Sequence, residues 1–335
     1  MNFLHLKESD LKKNTLLLID NQVIFHPSIS PNGIPDFTNY LGKNFILIID
    51  RNILTQLILL LKKGQLKNDF SRKIISSLMF WAQINNIAIT SGLALSEYAS
   101  TKQSNDDASF ENNMFKTAFD YYDMKIWLDL ALERRKTIPI LELNNQIEYD
   151  FYKEYDHYKM HYLELIKMAQ LFFNKSITLE EKFKLFHTWN YENILICKYT
   201  TIYFALLLGG RINTFKKIGC DFNKLIEKCK NQAWDLSYLS LWSTFYYFEN
   251  EGDDIYLFAT LDKDLKLIFK ETHKEQIDVY QKLFGRRLGK QISENISQVY
   301  KERIKPEIND SQLVELIKLE SNNLSVLIES MRNGM

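Results

Sequence analysis

From about Phe115 to Lys230 the chain offers no segment that reads as a β-strand, while short apolar runs of strand length stand before and after that block. Any sheet must lie outside the block, and the chain must leave the sheet and return to it. Thr15–Asp20 (TLLLID) and Phe45–Asp50 (FILIID) are apolar, end in an acid and are bracketed by Asn, Pro and Gly, the pattern of buried strands. Asn86–Thr90 and Ile255–Thr260 read the same way. Residues 26–37 (HPSISPNGIPDF) hold three of the five prolines and predict a loop. Asn52–Lys63 has helical character with Gly64 placed as its cap. A second helix opens at Asn68-Asp69-Phe70-Ser71 and carries Ile74, Ile75, Leu78, Phe80, Trp81 and Ile84 at roughly helical spacing. Thr101–Asn113 is polar and reads as a surface loop. Helical period returns over Tyr152–Phe173, Leu179–Trp189, Trp234–Phe248 and, broken at Pro306, Ile292–Met331. Strands alternating with helices predict an α/β chain, a parallel sheet with helices on both faces, split by a large helical insertion and followed by a helical C-terminal tail.

Composition narrows the classes. Eleven glycines and five prolines supply too few turns for a many-stranded sandwich or barrel. Hydrophobic residues at 46% and aromatics at 13% exclude a disordered chain. Lys+Arg and Asp+Glu both number 42, so the net charge is zero, which argues against a surface coated for indiscriminate nucleic-acid binding but leaves a local basic groove open. Three cysteines, Cys197, Cys220 and Cys229, fit neither a disulfide framework nor a zinc knuckle. The N-terminal MNFLHLKESDLKKN lacks the apolar stretch of a signal peptide. The longest apolar runs, Ile53–Leu61 and Ile202–Leu208, fall short of the ~20 residues that span a bilayer. The expectation is a soluble cytoplasmic protein with no membrane association.

In a parallel sheet ligands gather beyond the carboxyl ends of the strands. Asp50 ends one predicted strand, and Glu97 stands one to two turns into the helix leaving another. Asp262 and Asp264 follow a third, and Asp235 opens the helix that feeds it. Two like charges ~4 Å apart repel by ~1 kcal/mol in water and ~4 kcal/mol at an effective dielectric of 20, so such a gathering calls for a divalent cation. Hard oxygen ligands with few histidines point to Mg²⁺ or Mn²⁺, and the chemistry that suits them is phosphodiester cleavage.

These segments resemble the motifs of PIN-domain nucleases. Asp50-Arg-Asn52-Ile-Leu resembles the opening Asp-x-Asn, and residues 87–97 (IAITSGLALSE) the second strand and its acid-bearing helix. Asp235-Leu-Ser-Tyr-Leu-Ser-Leu-Trp resembles the third motif, and Thr260-Leu-Asp262-Lys-Asp264 the Thr-x-Asp-x-Asp of the fourth. The resemblance covers residues 40–100 and 230–275. It implies a three-layer α/β/α PIN-like fold with a split core at 1–100 and 231–290, a helical insertion at 101–230 and a tail at 291–335. It further implies a metal-dependent endoribonuclease acting on RNA, with toxin or antiphage defence among the roles. Asp50, Glu97, Asp235 and Asp262 would be catalytic and hold Mg²⁺ or Mn²⁺, with Asp264 as a further metal ligand and Asn52 and Thr260 in support. The insertion would shape substrate access or hold a protein partner or inhibitor. A non-catalytic scaffold of the same fold and a DNA nuclease on the same acids are the alternatives. Asp20-Asn21 competes with Asp50 for the first-acid role.

Each acid also has a plainer reading: Asp50 and Asp235 as helix caps, Glu97 as a solvated residue, Asp262 and Asp264 as a turn. His157 and His161 in HYKMH have metal-chelating spacing, but two exposed histidines on a polar helix face are the stronger expectation. Gly209-Gly210-Arg211 reads as a helix end, and most of Trp242, Phe245, Tyr246, Tyr247 and Phe248 as helical core. Arg134-Arg135-Lys136, Lys216-Lys217 and Arg286-Arg287 with Lys290 are small basic clusters that could hold phosphates.

Overall fold

The computed structural model describes residues 6–33, 35–40, 42–143, 146–152, 155–216, 218–248, 252–301 and 306–333. Along the chain it begins with α1 (Glu8–Asp20), β1 (Ile24–Phe25), β2 (Asn44–Ile49), α2 (Arg51–Lys63), α3 (Asp69–Ile84) and β3 (Ala88–Thr90). Then come α4 (Gly92–Lys102), α5 (Asp106–Tyr121), α6 (Met124–Ala131), α7 (Asp156–Phe173), α8 (Leu179–Asn193) and α9 (Lys198–Leu208). It closes with α10 (Phe222–Phe248), β4 (Asp254–Ala259), α11 (Lys263–Thr272), α12 (Gln276–Phe284), α13 (Arg286–Lys301) and α14 (Asp310–Asn333). The protein is mostly helical with a small α/β sheet. No helix among the described residues is long and apolar enough to cross a membrane. The three cysteines are free. Two compact units divide the chain: Met1–Lys153 with Trp242–Asp262, and Glu154–Leu241 with Lys263–Met335.

The first unit holds the sheet, in the order β1-β4-β2-β3. β2 runs parallel to both neighbours, with Ile49 opposite Ala259 of β4 and Ile48 opposite Thr90 of β3. β1 pairs antiparallel with β4, so the sheet is mixed rather than wholly parallel. The interior of β2 and β4 explains the length of their apolar runs: Leu47, Ile48, Ile49, Leu257, Phe258 and Ala259 are all buried. Helix α2 buries Ile53, Leu54, Leu57, Ile58, Leu60 and Leu61. It stops at Gly64, which adopts φ +66°, and a Cβ there would stand 2.6 Å from the Ile138 carbonyl oxygen.

Two expectations fail in this unit for identifiable reasons. Thr15–Asp20 is the end of α1, not a strand. Only Leu18 of its leucines is buried and Leu16 is 43% exposed, which suits one face of a helix and not a strand buried on both faces. Asp20 therefore closes a helix and does not occupy a strand end. The stretch Thr101–Asn113 is the end of α4 and the first half of α5 rather than a loop. Its polar residues look solvated in sequence but have internal partners. Asn113 Nδ2 donates to the Ser109 and Ile147 carbonyls, and Ser109 Oγ both donates to and accepts from the Tyr149 backbone.

The second unit is helical. Helix α14 packs on α7, α13 on α8 and α12, and α11 on α9. The turn from α12 into α13 is tight, and a Cβ on Gly289 would lie 2.5 Å from the Gln281 backbone. The break at Pro306 falls between α13 and α14.

Candidate active site

Asp50 is placed by the register of two parallel strands. Its N–H donates to the Ala259 carbonyl at 3.1 Å, directly beyond the last residue of β2. The chain leaving β2 makes β3 on one side of it while β4 lies on the other, and ligand sites of open α/β sheets form at such divergences. The carboxyl group is buried, with the residue 2% exposed. Oδ1 accepts from the Ile53 N–H at 2.8 Å and caps α2, which is the plainer of the two roles expected of it. Oδ2 accepts from Thr260 Oγ1 at 2.5 Å, a contact between residues 210 positions apart. Capping therefore uses one oxygen and the opposite strand end holds the other.

Thr260 is fully buried and serves as the pin of this arrangement. Its N–H donates to the Val23 carbonyl, and its hydroxyl oxygen accepts from the Asp262 N–H at 2.9 Å. The Thr-x-Asp spacing thus folds the chain back so that Asp262, half-buried, comes close enough to Asp50 for their charges to interact. Burial lifts the Asp50 carboxyl to about 6. Hydrogen bonds from Thr260 and Ile53 oppose that rise, and the Asp262 charge adds to it.

The remaining expected residues stand elsewhere. Asn52 is exposed in the first turn of α2. Glu97 is half-buried on the second turn of α4, in the same unit as Asp50 and Asp262. Asp235 and Asp264 belong to the other unit. Asp235 does not open a helix: it lies in the middle of α10, because helical residues extend back to Phe222. Gln232 Nε2 donates to its Oδ2, and Gln232 Oε1 accepts from Tyr203 at 3.1 Å and Thr214 at 3.3 Å. Burial raises the Tyr203 phenol well above its ordinary value, and Asp235 and Asp264 are among the charges that add to this.

A hard divalent cation suits the donors at the sheet end in kind, since ionising a buried carboxyl beside a second one is costly without a positive charge. Among the described residues, no group of three or more His, Cys, Asp or Glu side chains is arranged to hold a metal ion. What the sheet end offers is two carboxyl groups, Asp50 and Asp262.

A clamp beside the site has no signal in the sequence. The Arg51 guanidinium, next to the capping acid, makes two hydrogen bonds to the Glu111 carboxylate at 2.5 and 3.2 Å and lies 3.9 Å over the Tyr98 ring. Arg51 thereby ties the start of α2 to α5 and to the residue that follows Glu97. Only recognition of α5 as a helix with an inward Glu111 could have revealed it. Glu111 is 5% exposed, so Arg51→Met leaves a buried charge without its partner. A loss of about 3 kcal/mol in urea unfolding is expected, with more than half recovered in the double variant carrying Glu111→Gln. Additive losses would show that the clamp contributes nothing.

Other motifs resolve plainly. His161 is 1% exposed, contrary to the expectation of two exposed histidines. Phe245, Tyr247 and Phe248 are exposed, so only Trp242 of that series is fully core. Gly209 caps α9 and Gly210 takes φ +70°, as a helix end requires. Arg134 pairs with Asp10 and Asp129 rather than standing ready for phosphate. Arg286, Arg287 and Lys290 are exposed at the start of α13, and Lys217 lies outside the described residues. Comparisons of the chain with family models, with curated proteins and with solved structures return no match.

Proposed function

We propose that this chain is a PIN-like, metal-dependent endoribonuclease whose working centre is the pair Asp50 and Asp262. The supporting observation is that one buried threonine hydroxyl donates to the Asp50 carboxylate and accepts from the Asp262 backbone N–H, which brings an acid far away in sequence within range of the Asp50 charge. Simple capping needs Asp50 and the Ile53 N–H alone. It does not account for a second carboxylate held beside a buried first one, an arrangement that costs free energy until a cation is bound.

In this reading Asp50 and Asp262 hold one Mg²⁺ or Mn²⁺, with water and substrate phosphate oxygens filling its other positions. The bound ion contributes water activation and charge stabilisation at the scissile phosphate. Thr260 fixes the direction of Asp50 Oδ2 and the path of the backbone into Asp262, so the first carboxylate is oriented and the second residue is placed before substrate arrives. The Ile53 N–H holds Oδ1 against rotation. A carboxylate offers about four acceptor positions, so the donors that reach Asp50 from Ile53, Thr260 and Leu261 leave room for a ligand. RNA is the proposed substrate on the strength of the motif resemblance.

The absence of a three-acid group among the described residues favours one rival, a non-catalytic scaffold in which Asp50 is a cap and nothing more. Thermal melting separates the two. An ion bound only by the folded chain raises stability by RT ln(1 + [L]/Kd), about 2.7 kcal/mol at a hundredfold excess over Kd. Mn²⁺ is expected to raise the melting temperature of the wild type and not that of Asp50→Asn. Equal shifts in both proteins, or none in either, favour the scaffold.

A further inference from the structure

The histidine pair of HYKMH leads to a second constellation, within the helical unit and independent of the acids at the sheet end. Two histidines one turn apart on α7 face one hydroxyl on α10: His161 Nε2 lies 2.8 Å and His157 Nδ1 3.0 Å from Ser240 Oγ. The other ring nitrogen of His161, Nδ1, lies 2.7 Å from Glu164 Oε2. Thr200 of α9 donates to that same oxygen at 2.9 Å, and Asn190 of α8 donates to Oε1 at 2.6 Å. Ser240, His161, Glu164, Asn190 and Thr200 are each less than 5% exposed.

The proton positions follow from what each group can do. Glu164 accepts on both oxygens, so His161 Nδ1 must carry the hydrogen that faces it. In the neutral imidazole Nε2 is then bare, and the Ser240 hydroxyl donates to it. His157 Nδ1 completes the set by donating to a Ser240 lone pair, and burial holds its ring below the ordinary histidine range, in the neutral form. The chain of donors therefore runs from serine to imidazole and from imidazole to carboxylate. That is the order in which a hydroxyl is made nucleophilic: a base on the oxygen, and a carboxylate that fixes the tautomer of the base. The Ser237 carbonyl, 3.3 Å from Ser240 Oγ, is a second acceptor for the hydroxyl within its own helix.

We propose that Ser240 is a base-activated nucleophile that accepts short acyl groups from activated esters, with His161 as its general base and Glu164 as the positioning residue. Ser240 Oγ bonds to the acyl carbon as its proton passes to His161 Nε2. The ester C–O bond breaks, and the departing alkoxide takes that proton. Water then attacks the acyl-serine with His161 again removing a proton, which returns to Ser240 Oγ as the ester opens. Ser240 is 4% exposed, and the proposal is confined to the smallest acyl donors for that reason.

The test is covalent labelling of the full chain by a small sulfonyl fluoride, phenylmethanesulfonyl fluoride, read by intact mass and peptide mapping, with p-nitrophenyl acetate turnover beside it. One adduct on Ser240 is expected, absent in Ser240→Ala and unchanged in Asp50→Asn. The labelling rate rises with pH in a limb that disappears in His161→Gln, and Glu164→Gln slows labelling at least tenfold. Should His161→Gln or Glu164→Gln fail to fold by circular dichroism, Ser240→Ala, which removes a single oxygen, still decides. An unlabelled wild type, labelling that persists in Ser240→Ala, or a rate indifferent to His161 in a folded variant overturns the proposal.

Discussion

Asp262→Asn is expected to leave the chain folded and to lower RNA cleavage in Mg²⁺ or Mn²⁺ by at least about a hundredfold, the scale on which losing one electrostatic contact to a transition state is felt. The substitution is close to isosteric and removes only charge. The backbone N–H of residue 262 still donates to Thr260, so the turn that positions the side chain survives. Stability should not fall, because removing the Asp262 charge also removes one cause of the raised Asp50 carboxyl. A melting curve at the wild-type temperature with cleavage abolished supports the two-carboxylate centre. Cleavage at the wild-type rate sinks it.

His187 carries the second large expectation. It sits on α8 with 1% exposure, stacked near Phe183 and edge-on to Phe186, and neither ring nitrogen has a hydrogen-bond partner. Burial pushes its imidazole down to about 3. The sign follows from proton counting. Below the unfolded value of ~6.5 the unfolded chain takes up a proton that the folded chain refuses, so stability falls as pH drops from there toward 3. Each pH unit in that window is worth at most about 1.4 kcal/mol, and the whole window about 5 kcal/mol. His187→Phe removes the titrating group and the unpaired polar atoms while keeping an aromatic ring. It should gain about 1 kcal/mol at pH 7 and considerably more at pH 5. Urea unfolding at the two pH values checks this, and a difference between variant and wild type that is the same at both would show that His187 is solvated or paired in solution.

The two results bear on different units and should not couple. They also show what kind of knowledge each part of the chain yields. Asp50 and the Thr260-x-Asp262 spacing were legible in the sequence because their context is local: an apolar run of strand length, an acid at its end, a helix starting at once. The helix cap at Gly64 was legible for the same reason. The run at Thr15–Asp20 looked equivalent and was not, since letters alone do not show that Leu16 faces outward and Leu18 inward. The helix over Asp106–Tyr121 was hidden because Glu111, Asn113 and Ser109 resemble solvent-facing residues until Arg51 and the segment around Tyr149 are set against them.

By itself the amino-acid order determined the alternation of strands and helices around a long strand-free block, and the acids at the carboxyl ends of β2 and β4. Those features depend on side-chain period and turn chemistry over a few residues. Only the tertiary structure decided the antiparallel edge strand, the placement of Asp235 in mid-helix, and the convergence of Ser240, His161 and Glu164. The edge strand and the Ser240 constellation are pairings across long stretches of chain, settled by which polar groups find partners once the core has closed, and the place of Asp235 follows from how far back α10 extends. No local spacing encodes that outcome, because burial and hydrogen bonding are properties of the assembled neighbourhood.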